Sequence, residues 1–256
     1  MIRYKLEIKK IFYIFFCTIY RKIFFLYYKI YFKNIKNFIS RNNSYYKYQK
    51  ESLISELIDL DRVSKTLKSK YQEIFILEED YIDQIIKNLF NKNFRNFISE
   101  KTGIKYSVDY ILLYKNKFIE EIAQDNSIYA NKMHIDKSFS PFTIKVFIPI
   151  NIFTNKNGPL EVKVKNSKSF SNFSYNPKDF TKFFTDKKIT NIFLFNPSQS
   201  YHRAGIPKKN QSSINMLLQL NPSKYWSRST NLYFKQFNIE PSFPEIRNIN
   251  QDRIRI

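Results

Sequence analysis

From Lys105 onward the chain reads as short runs of β-branched and aromatic residues in two-residue alternation, broken by turn residues: KYSVDYILLYKNKF, NSIYANKMHI, FTIKVFIPINIF, LEVKVK, TNIFLFNPS and SINMLLQLNPS. No helical run separates them. Many short strands without intervening helices imply a sandwich or a barrel, since a sheet with one apolar face must cover it with a second layer.

Ahead of Lys105 the period is that of helices. Leu53, Leu57, Leu60 and Val63 recur at helical spacing in ESLISELIDLDRVSKTLKSK, and Ile82, Ile85, Ile86, Leu89 and Phe90 place another helix over residues 80–99, with Gly103 as its stop. Helices followed by strands give an α+β layout with N-terminal helices and a jelly-roll body. RNNSYYKYQK, at 41–50, reads as a linker. The expected organisation is therefore a basic, aromatic, amphipathic helical extension and linker over 1–50, then helices and a jelly-roll domain over 51–256 with its core at about 105–222. At 256 residues the chain is long enough to bury a substantial core.

The first 40 residues carry two apolar runs, Ile11 to Tyr20 and Ile23 to Tyr28, interrupted by Arg21 and Lys22. The first is too short to cross a bilayer, and a central pair of cations there would be costly. No small-residue cleavage site follows, which argues against a signal peptide. At 100° per residue, Lys10, Thr18, Arg21, Lys22, Lys29, Lys33 and Lys36 fall on one side of a helix and aromatic or aliphatic residues on the other. Two readings remain open: residues 10–36 lie on an anionic membrane surface, or their apolar face packs on the protein's own domain.

The formal charge of +21 points to an anionic partner, although a chain so rich in Lys, Asn, Ile, Phe and Tyr owes part of its basicity to compositional background. Residues 1–50 hold 12 Lys or Arg against one acid, Glu7, so +11 of the +21 belongs to the extension. No nucleic-acid recognition motif is present, and a nucleic-acid partner is not expected. A single cysteine, Cys17, excludes an intrachain disulfide and any cysteine-based zinc motif. A reducing, cytoplasmic setting is the simpler expectation, with the extension either free or peripheral at the inner membrane face.

Only two histidines occur. His134 lies in MHIDKSF, two residues before Asp136; that spacing turns both side chains to the same side of a strand. His202 lies in LFNPSQSYHRAGIP, at a strand-to-turn position. Singly, each is more often a surface pair or a satisfied core histidine than a ligand. Together, two histidines and a carboxylate from separate strands can occupy one face of an iron octahedron and leave adjacent positions open.

Three segments in order, HID at 134–136, FTIKVFIPINIFTNKNGPLEV with NGPL at 157–160, and YHRAGIP at 201–207, resemble the Fe(II)/2-oxoglutarate dioxygenases of the phytanoyl-CoA dioxygenase type. The resemblance covers roughly residues 105–222. It implies a double-stranded β-helix (a cupin-like jelly roll), Fe(II) held by His134, Asp136 and His202, and 2-oxoglutarate as cosubstrate. It also implies hydroxylation of a small or lipid-linked metabolite, coupled to oxidative decarboxylation of the cosubstrate to succinate.

Two departures qualify it. The family usually places an arginine ten or eleven residues after the distal histidine, where its planar fork pairs with the far carboxylate of 2-oxoglutarate; Ser212 and Ser213 stand there instead. Ser213 can hydrogen-bond that carboxylate without neutralising it, so Lys145 becomes the candidate cation, against the alternative that it faces solvent in an alternating strand. Arg203, next to His202, is expected to point away from the iron, and Lys208 and Lys209 sit in the following loop. In the second departure, KNSK at 165–168 replaces the family's Gly-Ser-His turn and keeps only Ser167. A metal-binding jelly roll that has lost 2-oxoglutarate is the alternative these departures motivate. In the tail, Arg228, Lys235, Arg247, Arg253 and Arg255 could face an anionic group, and Tyr225 and Trp226 either line a pocket mouth or close the barrel end.

Overall fold

The computed structural model describes residues 45–50, 58–124, 128–136, 142–151, 154–163, 177–185, 190–229 and 253–256, together with six single helical positions between 15 and 30. Its strands are β1 (Tyr45–Lys50), β2 (Val63–Lys68), β3 (Gln72–Leu77), β4 (Lys105–Lys117), β5 (Ile144–Pro149), β6 (Glu161–Lys163), β7 (Phe180–Lys182), β8 (Thr190–Phe195), β9 (His202–Arg203), β10 (Ser212–Ser223), β11 (Ser227–Ser229) and β12 (Arg253–Arg255). The helices α1 (Glu79–Leu89) and α2 (Lys92–Thr102) lie between β3 and β4.

A long sheet runs β1-β8-β5-β10-β4-β11-β12, with β3 also on β4 and β2 on β3; a short sheet runs β7-β6-β9. An isolated antiparallel bridge from His134 to His202 adds a further position beside β9. From β4 the chain crosses to the His134 bridge in the short sheet, returns to β5, crosses to β6 and β7, returns to β8, crosses to β9 and returns to β10. This alternation between two antiparallel layers is the double-stranded β-helix, or jelly roll.

Strand periodicity explains where each layer's side chains go. In β5, Ile144, Val146 and Ile148 join α1 and α2 residues such as Ile82, Ile85, Phe94 and Ile98 in one buried cluster, whereas Phe147 belongs to a second cluster with Phe183, Phe193 and Phe195 between the sheets. The long sheet is thus covered on both faces, by helices on one and by the short sheet on the other.

Local chemistry sets the helix ends. Asp80 and Glu79 in the first turn of α1 complement its dipole. The single helix expected over 80–99 is two, because the Asn91 side chain accepts from the Phe94 N–H at 3.0 Å and starts α2 afresh. Gly103 ends α2 at φ +76°, the expected stop.

Other expectations are corrected. Residues 45–50, read as linker, pair with β8 along their whole length. The helical spacing through Val63 does not hold at its end: Leu60–Arg62 is a single 3-10 turn capped by Asp59, and β2 follows at once, with 51–57 outside the described residues. Of NSIYANKMHI, the described residues 128–135 form no strand, since Tyr129 and Ala130 turn at positive φ (36° and 61°) and only His134 bridges.

Most of the basic extension lies outside the described residues, as do Ser167, Lys235 and Arg247. At the positions that are described, Phe15, Ile19, Ile23, Leu26 and Ile30 are helical and exposed by 59, 39, 56, 61 and 78%. Among the described residues no helix is long and apolar enough to cross a membrane. Trp226 is buried against Phe90 and Tyr106 and closes the core, while the Arg255 guanidinium lies 4.6 Å from the Tyr225 ring centroid. Arg228 is buried and ion-paired to Asp83, so it faces no external anion.

Candidate metal centre

His134 and His202 are tied together by backbone before any side chain is considered. The His134 N–H donates to the His202 carbonyl and the His202 N–H to the His134 carbonyl, each at 3.0 Å, which sets the ring centroids 4.3 Å apart. Each Nδ1 faces a carbonyl two residues upstream, Lys132 at 2.8 Å and Ser200 at 2.9 Å. With Nδ1 as donor, both imidazoles present an Nε2 lone pair to the same space. Phe195 packs edge-on against the His202 ring at 5.1 Å between centroids.

Asp136 is anchored by its N–H to the Pro197 carbonyl at 2.8 Å. Its Oδ1 lies 3.4 Å from His134 Nε2 and 3.6 Å from His202 Nε2. The three donors all fall within 4.8 Å of one another. Bonds of about 2.1 Å at right angles would set such donors roughly 3 Å apart, so a small inward adjustment closes the set on one ion.

Electrostatics suit a cation. Burial pushes the His202 pKa down to about 3, and the nearby Lys145 charge adds to it, so this imidazole is neutral at ordinary pH. Burial alone would raise the Asp136 carboxyl, but the hydrogen bond with His134 and the charge of Lys145 outweigh it and hold the group below the usual carboxylate range. His134 is raised, chiefly by its bond to Asp136, with burial opposing. The His202 Nε2 is buried and has no hydrogen-bond partner. A buried lone pair with nothing to accept is costly in a folded protein, and a metal ion at this point resolves it.

The other expected residues divide. Lys145 does not face solvent: it lies on the same face of β5 as Phe147, its side chain is 14% exposed, and its Nζ is 2.5 Å from Asp136 Oδ2. Ser213 is fully buried on β10 with its Oγ unpartnered. It is not in the cavity wall next to the triad, which the same face of β10 enters through Leu217. Arg203 does turn away, bonding Glu161 at 2.8 Å. Lys208 and Lys209 are exposed in the loop.

A cavity of about 280 Å³ opens beside the triad, walled by Tyr114, Tyr129, Phe147, Leu160 and Leu217 as well as by His134, His202 and Lys145. Sequence reasoning missed Tyr114 and Tyr129. For Tyr114 a signal existed, because it shares strand parity with Leu112 in β4 and both point between the sheets.

The motifs NGPL and YHRAGIP meet at two glycines. A Cβ on Gly158 (φ +69°) would sit 2.5 Å from the Pro207 nitrogen, and one on Gly205 would sit 2.4 Å from the Pro159 carbonyl oxygen. This backbone crossing fixes the strand that carries His202 against the one that carries Glu161.

Fold and site together define a jelly-roll protein with a His-Asp-His cluster suited to one metal ion. Comparison of the chain with protein-family models and with curated proteins finds no match. Among solved structures it is similar to an oxidoreductase of the 2OG-Fe(II) oxygenase family from Burkholderia pseudomallei (8% identity, 70% of this chain and 85% of that one, TM-score 0.48). It is also similar to SnoN, a non-heme alpha-ketoglutarate-dependent epimerase from nogalamycin biosynthesis (9%, 71% and 80%, TM-score 0.47). A third is HygX from Streptomyces hygroscopicus with nickel, 2-oxoglutarate and hygromycin B bound (9%, 82% and 92%, TM-score 0.46).

Proposed function

We propose that this protein is an Fe(II)- and 2-oxoglutarate-dependent oxygenase of the phytanoyl-CoA dioxygenase type that hydroxylates a small or lipid-linked metabolite. The observation that carries the reading is the convergence of His134, Asp136 and His202, with an orphaned buried Nε2, on the wall of a cavity between the two sheets. Two imidazoles, that of His202 neutral, and one carboxylate on one side of the site are the donor set of a non-heme iron centre with open positions. Bound there, Fe(II) would supply the oxidative chemistry, with dioxygen as the oxidant, whose two atoms would end in succinate and in the substrate hydroxyl as the cosubstrate loses carbon dioxide.

The protein's own part is positional. His134 and His202 are held by reciprocal backbone bonds and by Nδ1–carbonyl contacts, so their Nε2 atoms need no reorganisation to ligate. Phe147, Leu160 and Leu217 exclude water and raise the weight of every charge inside. Lys145 offers a cation to a cosubstrate carboxylate, and Ser213 a hydroxyl deeper along β10. At about 280 Å³ the cavity lies just below the usual ligand-pocket range of about 300–1,000 Å³, enough for a dicarboxylic oxo acid and the reacting end of a substrate.

The test is succinate formation from 2-oxoglutarate with Fe(II) and ascorbate. Wild type should produce it, and His134→Ala and His202→Ala should each lower it by about 100-fold or more, in keeping with losing a metal ligand. Succinate unaffected by these substitutions refutes the reading. Metal binding without any succinate favours the second reading, a metal-binding jelly roll without 2-oxoglutarate, which the serines at 212 and 213 motivate.

A further inference from the structure

We propose that Lys145 is shared between the ligand carboxylate Asp136 and an anion in the cavity, so that metal ion and anion bind with positive coupling through this one side chain. The inference rests on the metal-site reading above and adds a mechanism to it.

Three observations support it. The two oxygens of Asp136 are divided: Oδ1 faces both imidazole Nε2 atoms, and Oδ2 is held by the Lys145 ammonium at 2.5 Å. A divalent ion at Oδ1 and the ammonium at Oδ2 must therefore share one carboxylate, and two cations so close repel strongly behind apolar walls. Secondly, Lys145 is the only Lys or Arg among the described residues that line the cavity, so it is the one ammonium or guanidinium there that can pair with an entering anion. Thirdly, β5 is paired on both sides, to β10 and β8, with Lys145 opposite Gln219 and Phe195. The backbone at Lys145 is fixed, and redistribution falls to the four-carbon stem, whose torsions can carry the ammonium from Asp136 into the cavity.

The consequence has a sign. Without an anion, Lys145 competes with the metal for Asp136 and weakens metal binding. With metal in place Asp136 has less charge to offer the ammonium, which then pairs with the anion and also relieves the repulsion. Coupling of this kind is reciprocal and usually amounts to about 5–150-fold.

The experiment uses the full chain as wild type, Lys145→Met, Lys145→Arg and His134→Ala, each checked for folding by its thermal transition. Calorimetric titration with Mn(II) alone gives metal affinity, and titration of the Mn(II)-saturated protein with 2-oxoglutarate gives anion affinity. Relative to wild type, Lys145→Met should bind Mn(II) about 10-fold more tightly and 2-oxoglutarate about 10-fold more weakly, within the usual coupling range. Lys145→Arg, which keeps the charge, should stay near wild type in both. Chelation of the metal by the oxo acid is common to all variants, so the difference between them isolates the side chain.

Opposite shifts are the signature, because damage to the site weakens both ligands. If Lys145→Met weakens Mn(II), the lysine only orients Asp136 and the proposal falls; unchanged affinities for both ligands also overturn it. A His134→Ala protein that keeps wild-type Mn(II) affinity overturns the metal-site reading itself, a separate outcome from either of these.

Discussion

Adding one methyl group at Gly205 should loosen the metal site without touching any ligand. The new Cβ would lie 2.4 Å from the Pro159 carbonyl oxygen and 2.8 Å from the Gly158 carbonyl carbon, where ordinary contact begins at 3.4 Å. Both obstructing atoms are backbone, so no rotamer change relieves the overlap. The segments must instead part by about 1 Å, and overpacking of this kind costs about 1–3 kcal/mol. For a chain of this size about 2 kcal/mol lowers the melting temperature by roughly 4–8 °C.

The displacement then reaches the site. Gly205 follows His202 by three residues, and β9 is held between β6, through the Val162–His202 pair, and His134 on its other side. If β9 yields, His202 Nε2 moves away from Asp136 Oδ1, already 3.6 Å distant. Metal affinity should fall about 10–100-fold, as when other supports of a metal ligand are removed. Calorimetric titration of Gly205→Ala with Mn(II) and a thermal melt of the same sample measure both effects. Gly158→Ala should be worse still, since its φ of +69° adds about 1 kcal/mol of left-handed backbone cost. A Gly205→Ala protein melting within about 1 °C of wild type, against the several degrees expected, would refute the interlock.

Stability of the metal-free protein in chelator should fall with acid. The His202 imidazole, its pKa pushed down to about 3 by burial and Lys145, stays neutral in the fold, whereas the unfolded chain takes the proton near pH 6.5. Stability present above that point is lost on acidification, by roughly 2 kcal/mol at pH 5. His134, raised by Asp136, contributes in the opposite sense below its unfolded pKa and offsets part of this loss. Denaturant midpoints between pH 7 and 5 should therefore fall in wild type and flatten in His202→Asn; an equal slope in both contradicts the assignment. At the other end of the chain, the exposed Ile19 and Ile23 lie within a segment where 12 cations face one acid, a pattern suited to anionic lipid. Sedimentation with phosphatidylserine vesicles should be strong for the full chain and largely lost in an Ile19→Asp/Ile23→Asp variant; equal sedimentation of the two removes the membrane role.

What the sequence disclosed and what it hid follow from the range of the interactions. β4, β5, β8 and β10 were legible because alternation is local, and Gly103 because a left-handed stop needs glycine. β1 was not, since YYKYQK has no apolar run and its pairing partner, β8, lies more than a hundred residues on. β2 was mistaken for the end of a helix because Leu57, Leu60 and Val63 fit a 3.6-residue period, while its pairing with β3, such as Leu67 with Ile74, shows only in three dimensions. For Lys145 the parity opposite Ile144, Val146 and Ile148 was readable but left two settings open, the site or solvent, and only the short sheet covering that face decides between them.

The site itself straddles that sandwich. All three candidate ligands come from the short-sheet layer: His134 and His202 are bridged to each other there, and Asp136 follows two residues on. In the described cavity wall the one Lys or Arg, Lys145, and Phe147 come from β5 of the long sheet, and Leu217 comes from the neighbouring β10. The two imidazoles are therefore set by hydrogen bonds within a single layer, whereas Asp136 is also held by the Pro197 carbonyl after β8 and by Lys145 of β5, and the space between the layers is bounded by aromatic contacts such as Phe183 stacked on Phe193 at 4.1 Å. A single layer tied by backbone bonds tolerates little change, whereas an interface of side chains can be repacked at modest cost. Under the proposed function, serines at 212 and 213 in place of the family's arginine leave Lys145 as the side chain that would offer a cosubstrate its charge. The same-side placement of His134 and Asp136 is a matter of local spacing and the approach of His202 is what the family resemblance implies, whereas the cavity wall shows only in three dimensions.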